Sequence, residues 1–337
     1  MAIDKPIVFQ PLYQERVWGG RILETLFHRE LPDSETPFGE SWEVVDREGE
    51  QSVVAEGDAD LQGKSLNELW MGHREEVFGS GLTSERFPVL VKILDARDRL
   101  SIQVHPPAEV ASSLGGEPKT EMWYIARADE GARLYVGLKE GVDRDAFEEG
   151  IREGRTEDQV HAIEPRTGDF IFIPSGRLHA IGAGLVIYEI QQNSDTTYRV
   201  FDWNRVGLDG EPRELHVEAS LQCIDFADCE PSMDEATGEL LVDCPYFRIE
   251  KWAIEPGARR DAAASRQCAI VSVISGQVES AGRKFKEGDF FLIPASATDA
   301  VRSLQANGQK AEILRTTLGS AAATVPLVHR IEFIRNA

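Results

Sequence analysis

Residues 167–181, TGDFIFIPSGRLHAI, and residues 287–301, EGDFFLIPASATDAV, spell one pattern twice. Each has Gly-Asp, four apolar residues and Pro, and five residues after the Pro a polar group: His179 in the first copy, Asp299 in the second. A short apolar run bounded by turn residues reads as a strand. Its recurrence over a domain-length interval points to an internal duplication. We therefore expect two related β-barrels, of which only the first keeps the histidine. The polar stretch Asp228–Glu239 suits a boundary, giving residues 1–240 as an N-terminal catalytic domain with helical insertions and 241–337 as a degenerate C-terminal domain.

The rest of the chain agrees. VLVKIL (89–94), LSIQVH (100–105), MWYIA (122–126) and LVIYEIQQ (185–192) are short, rich in β-branched and aromatic residues, and punctuated by Gly, Pro and Asp. Helical signals are fewer. Ser65–Leu66–Asn67–Glu68 is a capping box ahead of LWMGHREEVF; Asp143 can cap RDAFEEGIREG; residues 216–226 form a third helix. The expected class is mainly β with a few short helices.

Composition narrows the function. The 337 residues carry 58 acidic and 36 basic side chains, a net charge of −22, and no basic run, which argues against a nucleic-acid partner. With 42% apolar residues the chain can build real cores and is not disordered. No apolar stretch approaches the ~20 residues of a membrane helix. The start, MAIDKPIVFQPLYQERVWGG, lacks the apolar core of a signal peptide, and the four cysteines form no C-x-x-C pair. A reduced, cytoplasmic protein is expected, with oligomeric state left open.

Three segments carry the chemistry. Gln103 and His105 stand at i and i+2 of one strand and share a face; Lys119 and Glu121 repeat that relation; His179 follows the Pro174–Ser175–Gly176 turn. If these strands are neighbours, two imidazoles, a carboxylate and an amide oxygen converge on one cation of the Zn²⁺, Fe²⁺, Mn²⁺ or Co²⁺ type. His28, His73, His161, His216 and His329 have no partner at ligand spacing and read as surface residues. Lys92, inside VLVKIL, has no assignment. Trp18 reads as packing the N-terminal arm against the barrel.

Residues 168–179 follow the second signature of the cupin family, and the Q-x-H with a downstream Glu resembles its first; position 183 is Ala where cupins commonly carry Asn. The strings LSIQVHP (100–106), KTEMWY (119–124), PSGRLHAIG (174–182) and EIQQNSDTTYRVFDW (189–203), with ERVWGG (15–20) and FGESWEV (38–44), resemble type I mannose-6-phosphate isomerases in their short bacterial form. The resemblance implies two cupin (jelly-roll-like) barrels and a zinc-dependent interconversion of mannose 6-phosphate and fructose 6-phosphate through an enediol. It implies one Zn²⁺ per chain on Gln103, His105, Glu121 and His179. Arg199 would be the catalytic arginine, Lys119 and Asp195 would line the reacting carbons, and Ser101 and Arg205 would lie toward the phosphate. Glu189 and Asp195 are rivals to Lys119 as base. Pro118 stands where some members carry a His, so no relay through that position is assigned.

Two alternatives use the same residues. His105, Glu121 and His179 also make the two-His, one-carboxylate set of non-haem iron oxygenases. The chain could also be a non-catalytic sugar-binding cupin, or isomerise a different or non-phosphorylated aldose.

Overall fold

The central strands are hydrophobic on both faces, and that property decides the architecture. In Val89–Ala96 the residues Val89, Val91 and Ile93 enter one apolar cluster, while Lys92 and Leu94 face a cavity on the other side. Glu121–Ala128 and Leu185–Gln192 do the same, with Met122, Tyr124, Val186, Tyr188 and Ile190 on the first face and Trp123, Ile125, Ile187 and Glu189 on the second. Such strands need a layer on each side. The computed structural model describes residues 2–264 and 266–323, and it supplies those layers as a four-sheet stack. His329 lies outside the described residues.

The first unit has two antiparallel sheets. The larger runs Phe170–Ile173, Glu121–Ala128, Leu185–Gln192, Val89–Ala96, Phe38–Val44, Leu12–Gly20. The smaller runs Val160–Ile163, Leu134–Leu138, His179–Ile181, Ile102–Val104, Tyr198–Phe201. The second unit repeats most of this plan with one strand fewer in each sheet: Phe290–Ile293, Ala269–Ser275, Ala311–Leu318, Phe247–Ile254 and Leu240–Asp243 follow the order of the first five strands above. Its small sheet, Arg283–Lys286, Gln277–Ser280, Ser303–Ala306, Arg259–Asp261, matches the first four of the other. The repeat seen in the sequence is thus a repeat of topology, with Phe170–Ile173 and Phe290–Ile293 both at sheet edges.

Closed barrels, however, are not formed: among the described residues no sheet closes on itself, and each unit is an open pair of facing sheets. The edge groups find other partners. The Phe172 N–H donates to Asp234 Oδ2 at 2.6 Å and the Asp234 N–H to the Phe170 carbonyl at 3.2 Å, so the polar connection after residue 228 occupies the edge where a closing strand would pair.

The two large sheets pack against each other through one shared cluster that includes Val91, Tyr188 and Ile190 from the first unit and Phe247, Ile270, Leu292 and Leu314 from the second. The N-terminal arm joins them, since Ile7 and Leu292 exchange backbone hydrogen bonds. Arg29 pairs with buried Glu43 at 3.2 Å and donates to the Gly288 carbonyl. Inside the second unit, stacked Phe285 and Phe291 rings (3.8 Å, 17°) fill the space that stays open in the first. Its ladder pair Glu250–Arg315 takes the position of Lys92–Glu189 with the charges exchanged.

Helices serve the periphery. Ser65 and Glu68 form the expected reciprocal cap, but the segment breaks at His73 into Leu66–Gly72 and Arg74–Val77. Asp143 caps Arg144–Arg152, and the third helix is Val217–Cys223. Among the described residues no helix is long and apolar enough to cross a membrane.

Asp95 gives the fold a pH signature. Its Oδ2 accepts the Ile22 N–H at 2.7 Å, and burial pushes its carboxyl up to about 6 against the opposing pull of that N–H and of Arg97. A raised folded pKa means that the carboxyl favours folding below its unfolded value near 4 and that this support is lost as pH rises through 6. Asp95→Asn keeps an acceptor without the charge. It is expected to stabilise the protein at pH 8 by up to about 3 kcal/mol, with the gain vanishing at pH 4. Denaturant melts at the two pH values check this; a pH-independent difference would refute it.

Candidate metal centre

Strand register assembles the site. In the small sheet His179 lies opposite Gln103, and Gln103 lies opposite Arg199 on its other flank. In the large sheet Glu189 lies between Lys92 and Trp123, and Glu121 opens its strand opposite Ile173 and Gln191. His105 stands one residue past Ile102–Val104. Its carbonyl accepts the Gly176 N–H at 2.9 Å, and Gly176 holds φ +94°, a conformation that favours glycine, so the 174–176 turn is tied directly to His105.

His105, Glu121 and His179 bring one ligand atom each within 4.8 Å of one another, all buried. His105 Nε2 lies 3.5 Å from Glu121 Oε2, and His179 Nε2 lies 3.6 Å from Oε1. Both Nδ1 atoms face backbone carbonyls, Thr196 at 2.8 Å and Arg177 at 2.9 Å. Those acceptors place the proton on Nδ1 and leave each Nε2 lone pair aimed inward. His105 Nε2 and both Glu121 oxygens are buried without a hydrogen-bond partner. Lys119 Nζ meets Glu121 Oε2 at 3.1 Å, whereas His105 Nε2 and Glu121 Oε1 have no such partner; unmet acceptors on converging groups are costly, and this donor set suits a borderline divalent metal.

Gln103 is adjacent. Its Oε1 accepts from Ser101 Oγ at 3.0 Å and its Nε2 faces His179 Nε2 at 3.4 Å. Flipping the amide turns the oxygen toward the histidines while the nitrogen donates to the Ser101 hydroxyl, so a ligand role needs only a 180° amide turn.

The electrostatics favour the same reading. Burial pushes His105 down to about 3, with Lys119 adding to it, and burial also lowers His179; both rings are neutral at physiological pH. Burial disfavours the Glu121 carboxylate, but the neighbouring Lys119 ammonium outweighs it and holds the group well below the carboxylate range. Lys119 Nζ sits 3.1 Å from Glu121 and 3.8 Å from Glu189.

His179, Gln103 and Lys119 line a cavity of about 530 Å³ between the sheets, in the size range of small-molecule sites. Lys119, Glu189, Arg199, Ser101 and Asp195 line it, the last from an exposed position at its rim. Glu189 is engaged on both oxygens, by the Trp123 indole N–H at 2.9 Å and by Lys92 at 3.0 Å. Arg205 does not line the cavity; it is held by Asp202 at 2.8 Å.

Several cavity residues escaped the sequence reading. Lys92 is fully buried between Glu189 and Glu40; burial opposes its charge, but Glu189 and Glu40 more than compensate and raise its proton affinity. Glu40 is driven down to about 2 although burial opposes it, by Lys92, Arg16 and the Trp42 indole N–H at 2.6 Å. Arg213 lines the cavity from the 202–216 loop. His216 is not a free surface residue: it is half-buried, and its Nδ1 accepts the Arg199 N–H at 3.2 Å. Trp18 packs inward as expected and also lines the cavity. A lone charge at inward parity in an apolar run was the available signal for Lys92.

The family described as "Phosphomannose isomerase type I, catalytic domain" matches residues 7–121. The mannose-6-phosphate isomerase ManA of Bacillus subtilis (strain 168) is 35% identical over 303 residues, covering 86% of this chain and 93% of that protein. The crystal structure of the mannose 6-phosphate isomerase from Bacillus subtilis superposes with a TM-score of 0.80 at 33% identity, covering 93% and 99% of the two chains. A mannose 6-phosphate isomerase crystallised with zinc and yttrium shares the fold at a TM-score of 0.69 and 14% identity, covering 94% of this chain and 100% of that one.

Proposed function

The chain belongs to the phosphomannose isomerase type I family, and from that premise we propose that it interconverts mannose 6-phosphate and fructose 6-phosphate through an enediol at one Zn²⁺ per chain. Gln103, His105, Glu121 and His179 would hold the metal. The observation that carries this reading is the convergence of His105, Glu121 and His179, with His105 Nε2 and Glu121 Oε1 buried without a partner, beside a cavity lined by His179, Lys119 and Arg199. Residues 1–240 would form the catalytic domain and 241–337 the degenerate one.

An aldose–ketose isomerase moves a proton between neighbouring carbons and another between their oxygens. Bound Zn²⁺ would act as a Lewis acid that polarises the substrate oxygens. Arg199 supplies a permanent cation where negative charge develops on the enediol. Lys119 and Asp195 are the groups positioned to exchange protons with the substrate carbons. Glu189, already engaged by Trp123 and Lys92, instead positions the two lysines.

Lys92 and Lys119 face Glu40, Glu121 and Glu189, so the fully buried set carries one excess negative charge, and a divalent cation reverses the sign. Metal loading would thereby turn the cavity into a site for an anionic sugar within an acidic protein.

The test strips the protein of metal, reloads it with Zn²⁺ and follows fructose 6-phosphate formation from mannose 6-phosphate. Turnover restored by Zn²⁺ is expected. No turnover with any divalent metal would overturn the reading.

A further inference from the structure

Two guanidinium groups, Arg205 and Arg213, pair with the carboxylate of Asp202, which is 5% exposed, and Arg199 lies within electrostatic range of all three. The cluster concentrates guanidinium groups in a chain of net charge −22. Its members are not equivalent. Arg205 is spent on the scaffold: Nε and Nη2 donate to Asp202 Oδ1 at 3.1 and 2.8 Å, Nη1 donates to the Arg99 carbonyl, and Asp98 lies 3.7 Å away.

Arg213 is different. Its Nε donates to Asp202 Oδ2 at 2.7 Å and its Nη2 to Oδ1 at 2.6 Å, a forked pairing that fixes the guanidinium plane. Nη1 has no partner among the described residues, and the side chain lines the cavity. Arg199 shares that wall and has a buried Nε without a partner.

The loop that carries Arg213 is anchored at its base. Trp203 and Asn204 both hold positive φ (56° and 54°), the Trp203 indole donates to the Leu100 carbonyl at 2.6 Å, and Arg99 stacks on the ring at 3.8 Å. Gly207, Leu208 and Asp209 then extend over the cavity. The position of Arg213 is therefore set by the fold before any ligand arrives.

We propose that Arg213, oriented by Asp202, binds the phosphate of the substrate and sets the preference for phosphorylated over free aldoses, whereas Arg205 is a positioning residue that holds Asp202. This rests on the phosphosugar reading above and assigns the phosphate end of that site. A guanidinium with a fixed plane and an unpaired Nη1 recognises a tetrahedral oxyanion better than a flexible ammonium does, and Arg213 lines the same cavity as Lys119, His179 and Arg199.

The test uses Zn²⁺-loaded full-length protein with Arg213→Ala, Arg213→Lys and Arg205→Ala. Loss of a charged hydrogen bond is expected to raise KM for mannose 6-phosphate about 10- to 100-fold in Arg213→Ala, with kcat within about twofold and zinc content unchanged. Arg213→Lys should recover part of that loss. Inorganic phosphate titrated calorimetrically into the same proteins should bind wild type at least about tenfold more tightly than Arg213→Ala. An unchanged KM and phosphate affinity, or a fall in kcat without a change in either, would overturn the proposal. Absence of turnover in wild type would count against the phosphosugar reading alone, because phosphate binding still reports on Arg213.

Discussion

Glu121→Gln is expected to purify without bound zinc and to lose about a thousandfold or more in kcat/KM for mannose 6-phosphate. Glu121 is the single carboxylate in the converging set, and both of its oxygens are buried without a hydrogen-bond partner. The amide removes the negative charge that draws a divalent cation between two neutral imidazoles. It also leaves Lys119, 3.1 Å away, without its closest counter-ion. Losing Lewis-acid stabilisation worth several kcal/mol corresponds to at least three decades in rate. Metal analysis beside steady-state kinetics checks the prediction, and Glu121→Asp, which keeps the charge on a shorter stem, should retain part of the zinc. A Glu121→Gln protein with full zinc and full activity would remove this residue from the metal centre.

Arg199→Ala is expected to behave in the opposite way with respect to metal. Zinc content should stay at the wild-type level while kcat/KM falls about 10²- to 10³-fold, the usual cost of removing one donor from a site of developing negative charge. Arg199 lies across the ladder from Gln103, so its backbone helps to place the metal wall while its side chain reaches the cavity. Truncation to Ala leaves the backbone hydrogen bonds of that ladder intact. Loss of zinc in this variant would mean that the side chain supports the metal scaffold rather than the reacting substrate.

The convergence of His105, Glu121 and His179 was legible because these residues lie on strands and turns whose local grammar survives into the fold. Lys119 and Glu121 share parity in sequence, and the Pro174–Ser175–Gly176 turn fixes where His179 begins its strand. Lys92, Glu40 and Arg213 were not legible in that way. Lys92 and Glu40 become partners only when Val89–Ala96 pairs with Phe38–Val44, a long-range contact that leaves no local trace. The role of Arg213 depends on a loop whose path is set by tertiary anchors at Trp203 and Asp202, and His216 reaches Arg199 through that same loop. The expected mainly β, two-unit architecture is present, but each expected barrel is an open pair of facing sheets among the described residues, for a related reason. Periodicity reports which face of a strand is buried, but edge closure depends on what meets the edge, and here Asp234 does so.

The shared apolar layer has a consequence for how the molecule comes apart. Tyr188 packs against Phe290, ring to ring at 5.5 Å, so residues from the two units stabilise one another directly. Detaching the second unit would expose the outer faces of the very strands whose inner faces carry Lys92, Trp123 and Glu189. The unit with a filled interior thus acts as a rigid backing plate for the one with an open interior. Amide protons in the central strands of both units should therefore exchange through one common opening event rather than two separate ones.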